Sequence, residues 1–372
     1  MTSIIYVGMD VHTTNYRLCC YSMEDDRFFA EVQVEPDAKN ILKYLARIEK
    51  QQSRDCRIVC GYEAGCLGYS LYHQLHAHGI DCVILAPTTM MTKPGKRIKT
   101  DRRDARLISK CLAFHTYSPV YIPTEVDDAV KEYIRMRDDA NSALARVKQQ
   151  IIAFCIRHGK IHDGKSYWTN KHLEWLSSLD LGNKILSEVL QEYLIRYYQL
   201  REQVDMYDMR INELAQAEPY RQKVEKLGCF RGIAAHTALS FCVEVGDFRR
   251  FATAQQFASY LGLVPGECSS GDKQQYTGIT KAGNSHLRKL LVETAQVFGR
   301  SATKSGKSVA LKERQAKCDS LTVAYADKAN ARLKKKYFKI AMRSKVNIAK
   351  TAVAREMACF IWGMMTDNIS CA

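Results

Sequence analysis

Apolar residues in the first 120 positions fall into short blocks of strand length separated by polar links. The blocks 4–11, 16–22 and 28–34 come first, and tight links such as Glu24-Asp25-Asp26 join them. That spacing predicts three strands in an antiparallel meander. From 37 to 52 the period changes, with Ile41, Leu42, Leu45 and Ile48 at helical spacing. A strand over 57–62, a helix over 68–78, a strand over 81–86 and a helix over 101–114 follow. Gly79 stands where the first of these two helices needs a C-cap.

The order of three strands, helix, strand, helix, strand, helix is that of the ribonuclease H-like α/β fold. In that fold the first and fourth strands are neighbours. Beyond it the pattern is helical. Proline is absent between Thr124 and Glu218, and two long charged segments, about 126–158 and 184–216, flank the polar break His158 to Lys165. The second carries a wide apolar stripe through Ile185, Leu186, Val189, Leu190, Tyr193, Leu194, Tyr197 and Tyr198. An antiparallel hairpin or coiled-coil arm is expected, as a dimerisation device or as a spacer. From 226 onward Gly, Ser and Thr are rich around 262–283 and basic helices follow. The organisation expected is therefore α/β plus α, with domains at 1–122, 123–225 and 226–372.

Charge changes the picture. The 372 residues carry a formal net charge of +15, and residues 300–355 hold sixteen Lys/Arg against three Asp/Glu. That stretch nearly accounts for the whole excess, and a polyanion is the expected partner. The fourteen cysteines contain no C-x-x-C pair and no zinc pattern. Together with an N-terminus that reads as a strand rather than a signal peptide, this predicts a reducing cytosol. The last apolar segment, Val346 to Met365, contains Lys350, Arg355 and Glu356, so it reads as a core or interface helix and no membrane partner is expected.

Four acids carry the chemistry. Asp10 ends the run Ile4 to Met9, Glu63 closes Ile58 to Tyr62, and Asp101 and Asp104 stand three apart at the head of a helix, on one face. A carboxylate leaves water at a cost unless it is paired or binds a metal. Four on or beside core elements suggest a shared divalent-ion site, with Mg2+ favoured by hard oxygen ligands and Mn2+ as a substitute. One or two such ions would serve phosphoryl transfer. Sugar kinases and actin-like ATPases also open with an apolar strand and an acid. Their phosphate-binding glycine loops are not evident here, where Gly61, Gly65 and Gly68 are the closest approach. Lys96, Arg97, Lys99, Arg102, Arg103 and Arg106 surround the acidic pair, as a DNA backbone beside a metal site requires.

These residues resemble the DEDD-type insertion-sequence transposases and site-specific recombinases of the IS110 family, kin of the pilin-gene invertases. The first half of the likeness is Tyr-Val-Gly-Met-Asp10, Tyr-Glu63-Ala-Gly and Lys-Thr-Asp101-Arg-Arg-Asp104-Ala-Arg. The second is Phe257-Ala-Ser-Tyr-Leu-Gly-Leu-Val-Pro265, Ser270-Gly271, Ile279-Thr-Lys281-Ala-Gly283-Asn284 and Leu287-Arg288.

The resemblance implies a RuvC-like first domain whose acids are Asp10, Glu63, Asp101 and Asp104, and a mainly helical transposase domain whose serine before glycine attacks DNA. That serine maps to Ser270, with Ser269 as a competitor one residue away. It further implies a 5′-phosphoserine intermediate, a Holliday-type junction, donor and target double-stranded DNA, and a structured noncoding bridge RNA as guide. Acids and serine would meet across subunits in a homo-oligomer, a dimer of dimers, in the prokaryotic cytoplasm and at the nucleoid during reaction. Lys281, Arg288 and Lys289 would hold phosphate near the serine, Arg249 and Arg250 would add contacts, and Lys334, Lys335 and Lys336 would represent the basic tail. Relatives carry a Pro-Gly-Ile-Gly hairpin where this chain reads Phe230-Arg231-Gly232-Ile233-Ala234, which puts a backbone-binding role there in doubt. The rivals are a metal-dependent junction resolvase or nuclease that needs no serine, and a noncatalytic nucleic-acid-binding protein.

Overall fold

The structure, a computed structural model, describes residues 3–52, 56–90, 101–267, 276–300 and 306–369. The chain divides into two compact units, Met1–Ile122 and Pro123–Ala372.

The first unit is a sheet between helical layers. Strands β1 (Ser3–Val11), β2 (Tyr16–Ser22) and β3 (Arg27–Val34) lead into α1 (Ala38–Gln51). Then come β4 (Cys56–Glu63), α2 (Ser70–Ala77), β5 (Asp81–Leu85) and α3 (Asp101–Ala113). The sheet order is β3-β2-β1-β4-β5, with β1, β4 and β5 parallel and β2 and β3 antiparallel. The first and fourth strands are thus neighbours, as the element order predicts. Alternation sorts the strand residues between two faces. Ile5, Val7, Met9, Cys60 and Tyr62 bury against Ile41, Tyr44, Leu45 and Ile48 of α1 and Leu71 and Leu75 of α2. Tyr6, Tyr21 and Leu85 pack instead against Ile108, Cys111 and Leu112 of α3. Asp37 caps α1 by accepting from the Lys39 amide.

Gly8 sets how closely α3 can lie on the sheet. A methyl group there would run into the Ala105 carbonyl and the Ser109 amide. Those are backbone atoms, so relief requires the helix to move. Gly8→Ala is expected to cost about 3 kcal/mol of stability, read from the midpoint of urea unfolding, with activity falling in parallel as α3 shifts.

The second unit is helical. Two 33-residue helices, α4 (Glu125–Arg157) and α6 (Lys184–Gln216), pack along each other. The short α5 (Asn170–Ser177) lies between them in sequence. Thr124 and Asn183 cap the long pair. Leu144, Val147, Ile151 and Phe154 of α4 meet Leu190, Leu194 and Tyr197 of α6. Arg137 bridges to Asp208 with two hydrogen bonds of 2.7 and 2.9 Å. The pair does not stand apart: Val130, Ile134, Ile211 and Ala215 enter one core with the helices that follow.

Those helices are α7 (Arg221–Gly228), α8 (Ala235–Val245), α9 (Ala254–Tyr260), α10 (Ser285–Gly299), α11 (Val309–Gln315), α12 (Ser320–Ala341) and α13 (Val346–Met365). A two-stranded pair, β6 (Pro265–Glu267) and β7 (Tyr276–Ile279), is inserted before α10. The apolar α13 is central, with Val353, Ala354, Met357, Ala358 and Ile361 fully buried. Among the described residues no helix is long and apolar enough to cross a membrane.

Candidate active site

Parallel pairing brings the first two acids together. The β1–β4 register runs to Met9 opposite Tyr62, so Asp10 and Glu63 each follow by one residue at the C-terminal ends of adjacent strands. Ligands of open α/β sheets bind at that edge. Both acids continue the face of Gly8 and Gly61, the face covered by α3. Helix α3 runs back along this face. Ala105 and Ser109 lie over Gly8, while Lys110 lies over the Tyr21 and Phe28 rings, 3.8 Å from Asp26 in the β2–β3 turn. Its first turn, Asp101 to Asp104, therefore opens at the Asp10 end.

Asp10 is held at a defined place. Its side chain is only 14% exposed, and His12 Nε2 lies 3.3 Å from its Oδ1. Arg17 of β2 stands opposite it in the antiparallel register. Glu63 is exposed and Asp104 half-buried. The side chains of Asp101 and Arg102 lie outside the described residues, and so do Lys96, Arg97, Lys99, Ser269, Ser270 and Gly271. Among the described residues no three His, Cys, Asp or Glu side chains lie close enough to hold a metal ion. The acids described at this edge are Asp10 and Glu63 at two adjacent strand ends and Asp104 in the first turn of α3, and carboxylate oxygens are the ligand type a hard divalent cation takes.

The basic residues divide by what they touch. Arg106 is engaged by Glu31 of β3, with Nε 2.6 Å from Oε1, and its guanidinium lies over the Phe28 ring. That ion pair ties α3 to the sheet, where the sequence predicts a DNA contact. Arg103 is exposed. Lys336 lies 2.6 Å from Glu356, and Arg332 pairs with the same carboxylate, so Lys336 joins α12 to α13. Lys335 is exposed and Lys334 half-buried. Arg249 pairs with Asp367 at 3.2 Å, and Arg250 lies over the rings of Phe251 and Tyr260. Arg288 Nη1 donates to the carbonyls of Leu261 and Ala282, which holds the turn before α10. Lys281 and Lys289 are exposed, and Lys281 has a positive φ of 56°. That conformation is uncommon for a residue with a side chain. The Arg231 turn is packed into the core: its amide donates to Asn330 and Ile233 is fully buried.

A polar network escapes the sequence reading. Asp138 of α4 meets His236 of α8 at 2.9 Å, His286 of α10 at 2.8 Å and Arg137 at 3.2 Å. The other nitrogen of His286 lies 3.3 Å from Glu244 of α8. Glu244 also receives Arg135 at 3.0 Å and Asn284 at 2.9 Å. Burial alone would raise the Asp138 pKa, but the two imidazoles and Arg137 hold it far below the usual carboxylate range. Glu244 is treated alike and is drawn down to about 2. Burial would lower His286, yet the two carboxylates raise it to about 9. The signal available in the sequence was a histidine in the first turn of α10, a place where cations are unfavourable unless paired.

Comparison with known proteins agrees with these features. Residues 7–156 match a family profile of DEDD transposases of the IS110 type, and residues 225–314 match the transposase IS116/IS110/IS902 family. The chain is 36% identical to a putative transposase, y4qE, of Sinorhizobium fredii, over 82% of this chain and 75% of that protein. It is 32% identical to the transposase of insertion sequence element IS1533 of Leptospira borgpetersenii, over 90% of this chain and 95% of that protein. A transposase of element IS1111A from Coxiella burnetii is 26% identical over 68% of this chain and 71% of that protein. With its paired strand-end acids, its acidic helix head and these relatives, the chain belongs to the IS110 family of DEDD transposases.

Proposed function

We propose that this transposase joins donor and target DNA through a covalent serine intermediate, guided by a structured bridge RNA. The observation that supports the acid half of this reading is the placement of Asp10 and Glu63 at the C-terminal ends of adjacent strands, with the first turn of α3 opening at the Asp10 end. The sheet order supports a ribonuclease H-like, RuvC-like unit. Asp10, Glu63, Asp101 and Asp104 would hold Mg2+, which when bound would polarise the scissile phosphate and stabilise the leaving oxygen.

The remaining roles belong to the chain. Ser270, with Ser269 as its neighbour and competitor, supplies the nucleophile from the segment between β6 and β7. Its Oγ–P bond forms as the P–O3′ bond breaks. The serine proton is lost to a nearby base or water, and the departing 3′ oxygen takes one up. The product is a 5′-phosphoserine and a free 3′ hydroxyl. Because the phosphodiester energy is kept in the serine link, a second 3′ hydroxyl can reverse the step on another strand without ATP, and one exchanged pair gives a Holliday-type junction. Exposed Arg103, Lys281, Lys289 and Lys335 are suited to the nucleic-acid backbone. Base pairing by the guide would supply specificity, and assembly as a dimer of dimers in the cytoplasm belongs to the same reading.

The test incubates protein, Mg2+, RNA from the native element and labelled DNAs, then denatures the mixture. A protein–DNA adduct in the wild type and none in Ser270→Ala is the expected result. Cleavage without an adduct in both would replace this reading with a water-using resolvase. Dependence of the adduct on the RNA tests the guide separately.

A further inference from the structure

The two ring nitrogens of His286 both face carboxylates: Nε2 is 2.8 Å from Asp138 Oδ2, and Nδ1 is 3.3 Å from Glu244 Oε1. Nε2 meets Asp138 in hydrogen-bond geometry and Nδ1 lies at ion-pair distance from Glu244, a setting between two carboxylates that favours the imidazolium. It is the link between α4, which bears Asp138, and α8, which bears Glu244.

Glu244 passes that fixation to a turn. Its second oxygen accepts from Asn284 Nδ2 at 2.9 Å, and Asn284 Oδ1 in turn caps α10 at the Leu287 amide. The Asn284 amide donates to the Tyr260 carbonyl, and the Tyr260 hydroxyl donates to the Glu244 carbonyl. A methyl at Gly283 would strike the Tyr260 carbonyl, so the turn lies directly on α9. Upstream, the amides of Lys281 and Thr280 donate to Gly262 and Val264. These bonds close the base of the β6–β7 pair, the two strands that flank residues 268–275 in sequence. Lys281, with its positive φ, sits within the clamped turn. Sparsely populated backbone of this kind persists only where its surroundings impose it.

We propose that His286 is a positioning residue for strand transfer, an imidazolium clamped between Asp138 and Glu244 that fixes the 280–284 turn and with it the base of the β6–β7 pair, between whose strands Ser270 stands in sequence. This rests on the reading that Ser270 is the nucleophile. The groups around the ring are Asp138, Arg135 and Arg137 from α4, Asp208 from α6 behind Arg137, His236 and Glu244 from α8, and Asn284 at the head of α10. Setting His236 aside, three cations face three anions, so loss of the His286 proton leaves the cluster with an uncompensated negative charge.

The full-length protein is followed in two ways from about pH 7 to about pH 10, a range that spans the raised titration of His286. One is hydrogen exchange over residues 276–284, corrected for the intrinsic rate. The other is the rate of adduct formation. In the wild type, protection and rate hold at the lower end and fall together through about pH 9. His286→Gln cannot donate on both sides; its adduct rate is expected to drop about 100-fold, with the alkaline fall gone. DNA affinity stays within about twofold, since His286 is not among the exposed cations assigned to the nucleic-acid backbone.

Wild-type exchange at 276–284 that ignores pH would overturn the proposal. So would a His286→Gln protein that keeps the wild-type rate, or one that slows but retains the alkaline fall. The exchange measurement needs neither DNA nor a variant that folds. If no protein forms an adduct, the serine reading fails and exchange alone decides the clamp.

Discussion

Asp10→Asn is expected to slow DNA strand transfer about a thousandfold, equivalent to about 4 kcal/mol of transition-state stabilisation, while leaving the protein folded. The argument has two halves. The amide keeps the shape of the side chain but removes the charge that a divalent cation needs. The carboxylate's pair with His12, in contrast, does little for stability. The Asp10 side chain is 14% exposed at a strand end, and His12, with which it pairs, is half-exposed. Pairs with so exposed a partner are worth about 0–1 kcal/mol. The substitution should therefore shift the urea midpoint little, or upward, since a partly desolvated charge is removed. Rates at saturating DNA and Mg2+, set beside unfolding curves of the same preparation, separate the two effects. A variant with near wild-type strand transfer would remove Asp10 from the chemistry and with it the acid-edge reading.

Asp10 and Glu63 were legible because strands announce their ends. An apolar run that stops at an acid places that acid at a sheet edge, and the element order makes the two runs neighbours. The stripe of α1 was legible from its helical spacing, and Tyr44, outside the positions named for it, is also buried, with its hydroxyl donating to the Ala30 carbonyl. Basic residues were less legible. Nothing local distinguishes Arg106, which pairs with Glu31 75 positions away, from the exposed Arg103. Lys336 and Lys335 are adjacent, yet one is bound to Glu356 and the other faces solvent. Partners of that kind are set by packing between elements. The buried network is the extreme case, since Asp138 and His286 stand 148 positions apart. Each alone looks like a polar residue on the wet side of a helix.

That network should dominate the stability of the second unit. Asp138→Ala leaves Arg137, His236 and His286 around a gap, with their shared carboxylate gone. Removing one partner of a buried ion pair costs about 3–5 kcal/mol, far more than the pair contributes against an apolar replacement. The pH dependence follows from the direction of each shift. Asp138 titrates far below its ordinary value of 3.8, so its contribution is complete above that pH and fades as the pH falls toward the folded value. Glu244 behaves likewise below 4.5, down through about 2. His286 is raised, so its contribution is complete below 6.5 and is lost as the pH rises through about 9. Unfolding free energy should thus show a plateau between about pH 4.5 and 6.5 and decline on both sides. Asp138→Ala should lower the plateau and flatten the alkaline decline, because His286 then has only Glu244 to hold its proton. Urea unfolding of both proteins at several pH values gives the comparison. Parallel curves would show that Asp138 and His286 are not coupled, and equal plateaus would show that the buried carboxylate does not hold these helices together.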